Sequence, residues 1–149
     1  MNLQIKRLPH NPDLPLPAYA SDGAAGFDLR ACVMAGVPTR LYHGECLLIP
    51  TGFAFAVPPS FELQIRPRSG LAIKNRVTVC NSPGTVDSDY RGEVMVALVN
   101  HGTYEVQINR GDRIAQAVLA PVVRGVMTEV DDLDATVRGA GGFGSTGVA

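Results

Sequence analysis

Apolar and polar positions alternate with a period of two along several short runs of this chain, and turn-forming residues separate the runs. Gly52-Phe53-Ala54-Phe55-Ala56-Val57, Phe61-Glu62-Leu63-Gln64-Ile65-Arg66 and Val94-Met95-Val96-Ala97-Leu98-Val99 join this pattern to β-branched and aromatic side chains, which suit a pleated, half-buried surface. They are predicted to be strands. The run from Arg113 to Val123 also alternates and closes on Pro121-Val122-Val123; proline has no N–H to give to a ladder, so the end of this strand is expected at an edge. Asn100-His101-Gly102-Thr103 and Asn109-Arg110-Gly111-Asp112 carry residues that accept positive φ or form Asx turns, and they read as hairpin connections. Only Ser69 to Asn75 has the composition of a short helix, with Ser69 as its cap. Short strands at this spacing predict an all-β fold, a jelly-roll-like barrel or sandwich with one short helix.

Composition narrows the picture. With 149 residues, 46% of them hydrophobic, the chain can enclose one core but hardly two. A single domain is expected, with a β core over about residues 1–130 and a flexible, glycine-rich C-terminal arm over about 131–149. A net charge of -1 supplies no basic field, which argues against a partner that is a nucleic acid polymer and leaves small ligands open. Cys32, Cys46 and Cys80 are odd in number and lack close pairing, so free, buried thiols in a reducing compartment are expected. No apolar run has the length of a signal peptide or a membrane span, and a cytoplasmic protein is expected. His10, His43 and His101 have no metal-ligand spacing.

The arm holds Arg138-Gly139-Ala140-Gly141-Gly142-Phe143-Gly144-Ser145-Thr146-Gly147. Its glycines match GxGxxG in form, but a dinucleotide-binding turn needs a following helix that the remaining residues do not provide. A P-loop reading fails as well, because Ser145 stands where the lysine belongs. What remains is a phosphate clamp: backbone N–H groups free to turn toward an anion, the charge of Arg138, and the hydroxyls of Ser145 and Thr146. Phe143, alone among glycines, is suited to stack on a base.

Four further polar clusters lie at turns between the strand-like runs. They are Ala25-Gly26-Phe27-Asp28-Leu29, Pro67-Arg68-Ser69-Gly70-Leu71-Ala72, Gly84-Thr85-Val86-Asp87-Ser88-Asp89-Tyr90-Arg91-Gly92 and Gly111-Asp112-Arg113-Ile114-Ala115-Gln116. Taken in order with the tail, the five clusters resemble the signature motifs of the trimeric dUTPase family, over about Ala25 to Gly147. One cluster alone would be weak, whereas five in sequence are specific. Pro83 and Arg91 have no evident role at this level.

The resemblance implies hydrolysis of dUTP to dUMP and pyrophosphate with Mg²⁺, a reaction that limits uracil incorporation into DNA and supplies dUMP for thymidylate synthesis. It also implies a homotrimer with shared active sites: one chain gives the segments around Arg68 and Gln116, a second the hairpin around Asp87, the third its arm. In that picture Asp87 is the general base for in-line water attack on the α-phosphate, a task open to a carboxylate ionised at neutral pH. Asp28 holds Mg²⁺ through water. Arg68, Ser69, Gly70 and Gln116 contact the phosphates. Tyr90 packs on the deoxyribose and excludes a 2′-hydroxyl, and Asn81 helps to read uracil in a hairpin slot. Phe143 stacks on the base, while Arg138, Gly144, Ser145 and Thr146 hold the γ-phosphate. Asp112 and Arg113 are expected in structural ion pairs. Two other readings stand beside this one. A dCTP deaminase relative usually lacks the Asp-x-x-Tyr turn and the tail, and a nucleotide-sensing module would have lost turnover.

Overall fold

The computed structural model describes residues 2–142. Phe143, Gly144, Ser145 and Thr146 lie outside the described residues. Ten strands and one helix follow one another as β1 (Gln4–Arg7), β2 (Phe27–Arg30), β3 (Thr39–Leu41), β4 (Cys46–Ala56), β5 (Phe61–Arg66), α1 (Ser69–Asn75), β6 (Val77–Val79), β7 (Gly84–Val86), β8 (Glu93–Asn100), β9 (Val106–Ile108) and β10 (Arg113–Pro121). They form two antiparallel four-stranded sheets, ordered β1-β4-β8-β6 and β2-β10-β5-β7, with β3-β9 as a separate pair. The β-sandwich predicted from the alternation is therefore present, as is the single short helix.

Alternation decides which side chains face inward. In β5, Leu63 and Ile65 are buried while Gln64 and Arg66 face out; in β8, Val94, Val96 and Leu98 are buried between Met95 and Ala97. These residues join Leu29, Ile49, Phe53, Phe55, Ile114 and Ala117 in one core. Each large apolar side chain so buried contributes about 1.5–3 kcal/mol. Phe27 lies beside Phe55 with ring centroids 5.9 Å apart, and the Tyr19 ring meets Phe27 edge-on at 5.5 Å.

Two glycines are dictated by space. A side chain at Gly26 would stand 2.8 Å from the carbonyl oxygen of Ala117, so only glycine lets the chain cross β10 on its way into β2. Gly52 has φ +73° and lies against Asn11, whose side chain would fill the place of a Cβ. Here the long strand β4 bends, and its register with β8 shifts between Pro50 and Ala54. Buried Asn11 secures the bend, donating to the Gly52 carbonyl at 3.3 Å and accepting from Leu14 N–H at 3.1 Å.

Three expectations are corrected. The segments after β8 and β9 are turns but not hairpin connections, because β9 pairs with β3 while β10 pairs with β2 and β5. Asn100 explains the first departure: fully buried, it donates to the carbonyls of Leu41 and Tyr104 at 3.0 and 2.8 Å and accepts from Gly102 N–H at 2.7 Å. Leaving such a group unsatisfied costs about 1–3 kcal/mol, so the chain is led toward β3 rather than back along β8. Ser69 is not the helix cap; that position belongs to Arg68, without a side-chain cap bond. Of the free cysteines only Cys32 is buried, since Cys46 and Cys80 occupy outward positions of β4 and the turn after β6. The Cys46 thiol is held above its ordinary range by desolvation and by the neighbouring Cys80 thiol.

The strand end at Pro121 does lie at an edge. Beyond Ala117, which pairs with Phe27, β2 no longer accompanies β10, and Pro121 has a partner only on the β5 side, at Phe61.

Arg110 ties the N-terminal segment to the sandwich, reaching Asp13 at 3.1 Å and the Val33 carbonyl at 2.9 Å. Its guanidinium lowers the Asp13 carboxyl below the usual carboxylate range, chiefly by hydrogen bonding. A depressed acid stabilises the fold above its unfolded pKa and loses that contribution as pH falls through the folded value. Asp13→Asn should therefore lower the melting temperature slightly at pH 7, with the gap to the parent chain closing below about pH 4. A gap that widens in acid would reverse this assignment.

Candidate active site

The outer face of the β2-β10-β5-β7 sheet assembles the first cluster. Register places Gln116 of β10 between Asp28 of β2 and Arg66 of β5. The Gln116 amide donates to the Pro67 carbonyl at 2.9 Å, which fixes its side chain beside the start of α1. Ser69 is exposed and lines, with Gln116, Arg66, Gln64 and Pro83, an open groove of about 710 Å³. Because Ser69 caps no backbone N–H, the correction to the helix start leaves its hydroxyl available to a ligand. Gly70 follows within the helix, and a side chain there would meet nothing within 4 Å.

Arg68 and Asp28 are held together. The Arg68 Nε donates to Asp28 Oδ1 at 2.8 Å, and its Nη1 donates to the Arg113 carbonyl at 3.1 Å. The second Asp28 oxygen accepts from Arg113 Nη1 at 3.2 Å. The ion pair expected for Arg113 is thus present, and its partner is a residue of the site. Asp112 takes another part, accepting from the backbone N–H of Asn109 at 2.7 Å to close the β9–β10 turn.

Asp87 lies apart from these residues. It follows β7 and is exposed; with Tyr90, Glu93, Thr85, Leu48 and Met95 it lines a separate cavity of about 280 Å³. The ion pairs among the described residues do not include Asp87, whereas Asp28 takes part in two of them. One carboxylate is therefore already engaged by cations and the other is available to a proton or a water. The Asp87–Tyr90 turn is closed by Tyr90 N–H to the Asp87 carbonyl at 3.2 Å. The Tyr90 hydroxyl donates to the Glu93 carbonyl at 2.9 Å. Its ring covers Gly92, where a Cβ would come within 2.4 Å of the hydroxyl oxygen. Glu93 in turn accepts from Gly52 N–H at 2.7 Å, anchoring this turn to the bend of β4.

Sequence reasoning missed Arg91 and Gly92. Arg91 Nη1 donates to the carbonyls of Ser88 and Tyr90 at 2.7 and 2.8 Å, and so braces the turn from outside. The hairpin expected around Asp87 is not a regular one, because β7 pairs with β5 while β6 and β8 belong to the opposite sheet. Asn81 is in the crossing segment, exposed, with its amide packed toward Gly84 at a spacing that admits no bulky residue there. Arg138 is exposed and donates to the Gly141 carbonyl at 2.8 Å, far along an arm whose Val123, Val126, Met127, Leu133 and Val137 are all exposed.

Fold and site together define a β-sandwich protein with donor groups at a strand-to-helix junction and, on a tyrosine-braced turn, a carboxylate that enters no ion pair among the described residues. The dUTPase family model matches residues 13–147. The chain is 60% identical over 149 residues to the deoxyuridine 5'-triphosphate nucleotidohydrolase of Methylocella silvestris, covering all of this chain and 93% of that protein. It is 60% identical over 146 residues to the enzyme of that name from Caulobacter vibrioides, covering 98% of this chain and 94% of that one. Among solved structures it resembles a Staphylococcus bacteriophage 80alpha dUTPase with dUpNHpp, at a TM-score of 0.86 and 24% identity over 99% of both chains. A mutant dUTPase from phage phi11 of S. aureus, described with a structural Mg(II) ion, has a TM-score of 0.79 at 20% identity, over 91% of this chain and all of that one. The chain belongs to the dUTPase family.

Proposed function

We propose that this chain hydrolyses dUTP to dUMP and pyrophosphate, with Asp87 as the base. The observation that carries the reading is the pair of contrasting carboxylates: Asp28 bridges two guanidiniums, while Asp87 lies outside every ion pair among the described residues. A carboxylate outside these ion pairs has both oxygens open to a hydrogen bond from water. Asp87 would orient a water for attack on the α-phosphorus and take its proton on a carboxylate oxygen as the bond to the pyrophosphate oxygen breaks. Arg68, Ser69, Gly70 and Gln116 would donate to the phosphate oxygens as charge builds there. Tyr90 and Asn81 would select the deoxyribose and uracil. From the arm, Arg138, Gly144, Ser145 and Thr146 would hold the γ-phosphate, and Phe143 would cover the base.

The donor groove and the Asp87 cavity are separate in one chain, with lining residues that do not overlap. A homotrimer that brings the groove of one subunit to the Asp87 turn of another resolves that separation, and the exposed apolar arm suits a third. A single-chain mass in solution would overturn this arrangement.

The chain's donors fit Mg²⁺ carried in by the substrate. No group of three or more His, Cys, Asp or Glu among the described residues could hold a metal directly. Asp28 has about four acceptor positions. Two are taken by Arg68 and Arg113, so the others can receive the waters of a hydrated ion. When bound, Mg²⁺ would neutralise charge on the triphosphate. The reaction removes dUTP from the pool open to DNA synthesis and yields dUMP for thymidylate synthesis.

Pyrophosphate release measured in parallel from dUTP, dCTP, dTTP and UTP with Mg²⁺ tests the reading. Release from dUTP alone is expected; ammonia from dCTP, or no release from any of the four, would replace it. No helix among the described residues is long and apolar enough to cross a membrane.

A further inference from the structure

We propose that Arg113 is a positioning residue that acts through Asp28 to set the guanidinium of Arg68 for the phosphates. The inference rests on the reading above and extends it to a side chain that sequence reasoning left to structure. Three contacts define the unit: Arg68 Nε to Asp28 Oδ1 at 2.8 Å, Arg113 Nη1 to Asp28 Oδ2 at 3.2 Å, and Arg68 Nη1 to the Arg113 carbonyl at 3.1 Å. Arg68 is thereby held at two of its three nitrogens by Asp28 and by Arg113's own backbone.

Burial decides which contacts matter. The side chains of Arg68 and Asp28 are 26% and 27% exposed, whereas that of Arg113 is 50% exposed. The inner pair is shielded, and the outer guanidinium supplies its charge from the solvent side. The unit carries two positive charges and one negative, so a net charge of about +1 faces an incoming polyphosphate. Without Arg113, Asp28 would neutralise Arg68 alone, and both Asp28 oxygens could turn to that one guanidinium. That rearrangement would draw Arg68 toward β2 and weaken its donation to phosphate.

The backbone prepares the arrangement. The register between β10 and β2 shifts between Arg113 and Ala115, one step before Gln116 pairs with Asp28. The shift brings the Arg113 side chain to the Asp28 carboxylate while its carbonyl serves Arg68. Arg113 lines a cavity of about 300 Å³ with Asp28, Arg30 and Tyr19. Its contacts to Arg68 run through the Asp28 carboxylate and through its own carbonyl, which is what makes it a positioning residue.

Arg113→Gln, assayed in the full chain with Mg²⁺ varied, should lower kcat about 10- to 100-fold with little change in KM, the size of effect expected when a catalytic donor is misplaced. The Mg²⁺ concentration giving half-maximal rate should not move. Arg113→Lys should recover part of the loss, because the contact to Asp28 is a single N–H rather than a fork. In an Arg68→Gln background, Arg113→Gln should cost less than about twofold, since the group it positions is gone. An unchanged kcat, a full additional loss in that background, or an effect confined to the Mg²⁺ requirement would each overturn the proposal. Affinity for dUpNHpp measured on the parent chain, the Arg113→Gln and Arg68→Gln variants and the double variant separates the two readings. If the parent chain binds this analogue without hydrolysing dUTP, the proposed reaction fails; if it hydrolyses dUTP and the kcat losses of Arg113→Gln and Arg68→Gln add in full, the positioning role of Arg113 fails by itself.

Discussion

Replacing Asp87 with asparagine should lower dUTP hydrolysis about 10²- to 10⁴-fold, the range that a positioned general base contributes. The amide keeps the shape of the side chain and still accepts a hydrogen bond from water, but it cannot take the proton as the new P–O bond forms. Asp87 is exposed and belongs to no ion pair among the described residues, so the substitution removes no structural contact of consequence. The variant's stability should therefore match the parent within about 0.5 kcal/mol, as for surface changes generally, which a thermal melt checks. Affinity for dUpNHpp should change by no more than a few-fold. Turnover retained in the variant would take the base role from Asp87. Turnover and analogue binding lost together would make it a binding residue instead.

Ending the chain after Val137 should leave the sandwich folded and reduce turnover about 10²-fold or more. Among the described residues the arm contributes no strand to either sheet, and its apolar residues from Val122 to Val137 are largely exposed, so the sandwich is expected to fold without the residues removed. Ordering ten residues costs on the order of 10 kcal/mol of backbone entropy, which only ligand contacts can offset. Arg138 and the hydroxyls beyond it would form such contacts most strongly when charge moves onto the leaving pyrophosphate. Two charge-assisted hydrogen bonds lost there, at about 1.5–3 kcal/mol each, give a factor of 10² to 10⁴. Near-normal hydrolysis by the truncated chain, with kcat and KM both intact, would remove the arm from catalysis.

The two effects should also differ in character. Asp87→Asn should slow the chemical step at every dUTP concentration, while mixing the truncated chain with Asp87→Asn subunits should restore part of the activity. Each parent defect would then lie on a different chain of one assembly, so that some sites receive an intact turn and an intact arm together. Absence of any recovery would count against sites shared between subunits.

Much of the sandwich is legible in the order of residues. Leu63 and Ile65 alternate with Gln64 and Arg66, and a period of two admits only one inward face for such a strand. The helix from Ser69 to Asn75 and the strand end at Pro121 have equally local causes. The candidate site residues are legible for another reason: Asp28, Arg68, Asp87 and Gln116 lie in short motifs whose order resembles a family, and that resemblance names them before any distance is known. Local pattern does not reveal pairing across long separations. Whether β9 returns along β8 or joins β3 depends on the buried Asn100 amide meeting the Leu41 carbonyl, 59 residues away.

The amino-acid sequence by itself determined that this chain is β-rich with the dUTPase motifs in order, because alternation, turn chemistry and motif spacing are local properties of a chain. The tertiary structure alone decided that Asp28 is shared by Arg68 and Arg113, that Ser69 leaves the cap to Arg68, and that Asp87 stands apart from the donor groove. Each of these depends on charges and hydrogen-bonding groups from distant segments meeting in space, where Coulomb attraction and desolvation act on distances that no sequence spacing encodes.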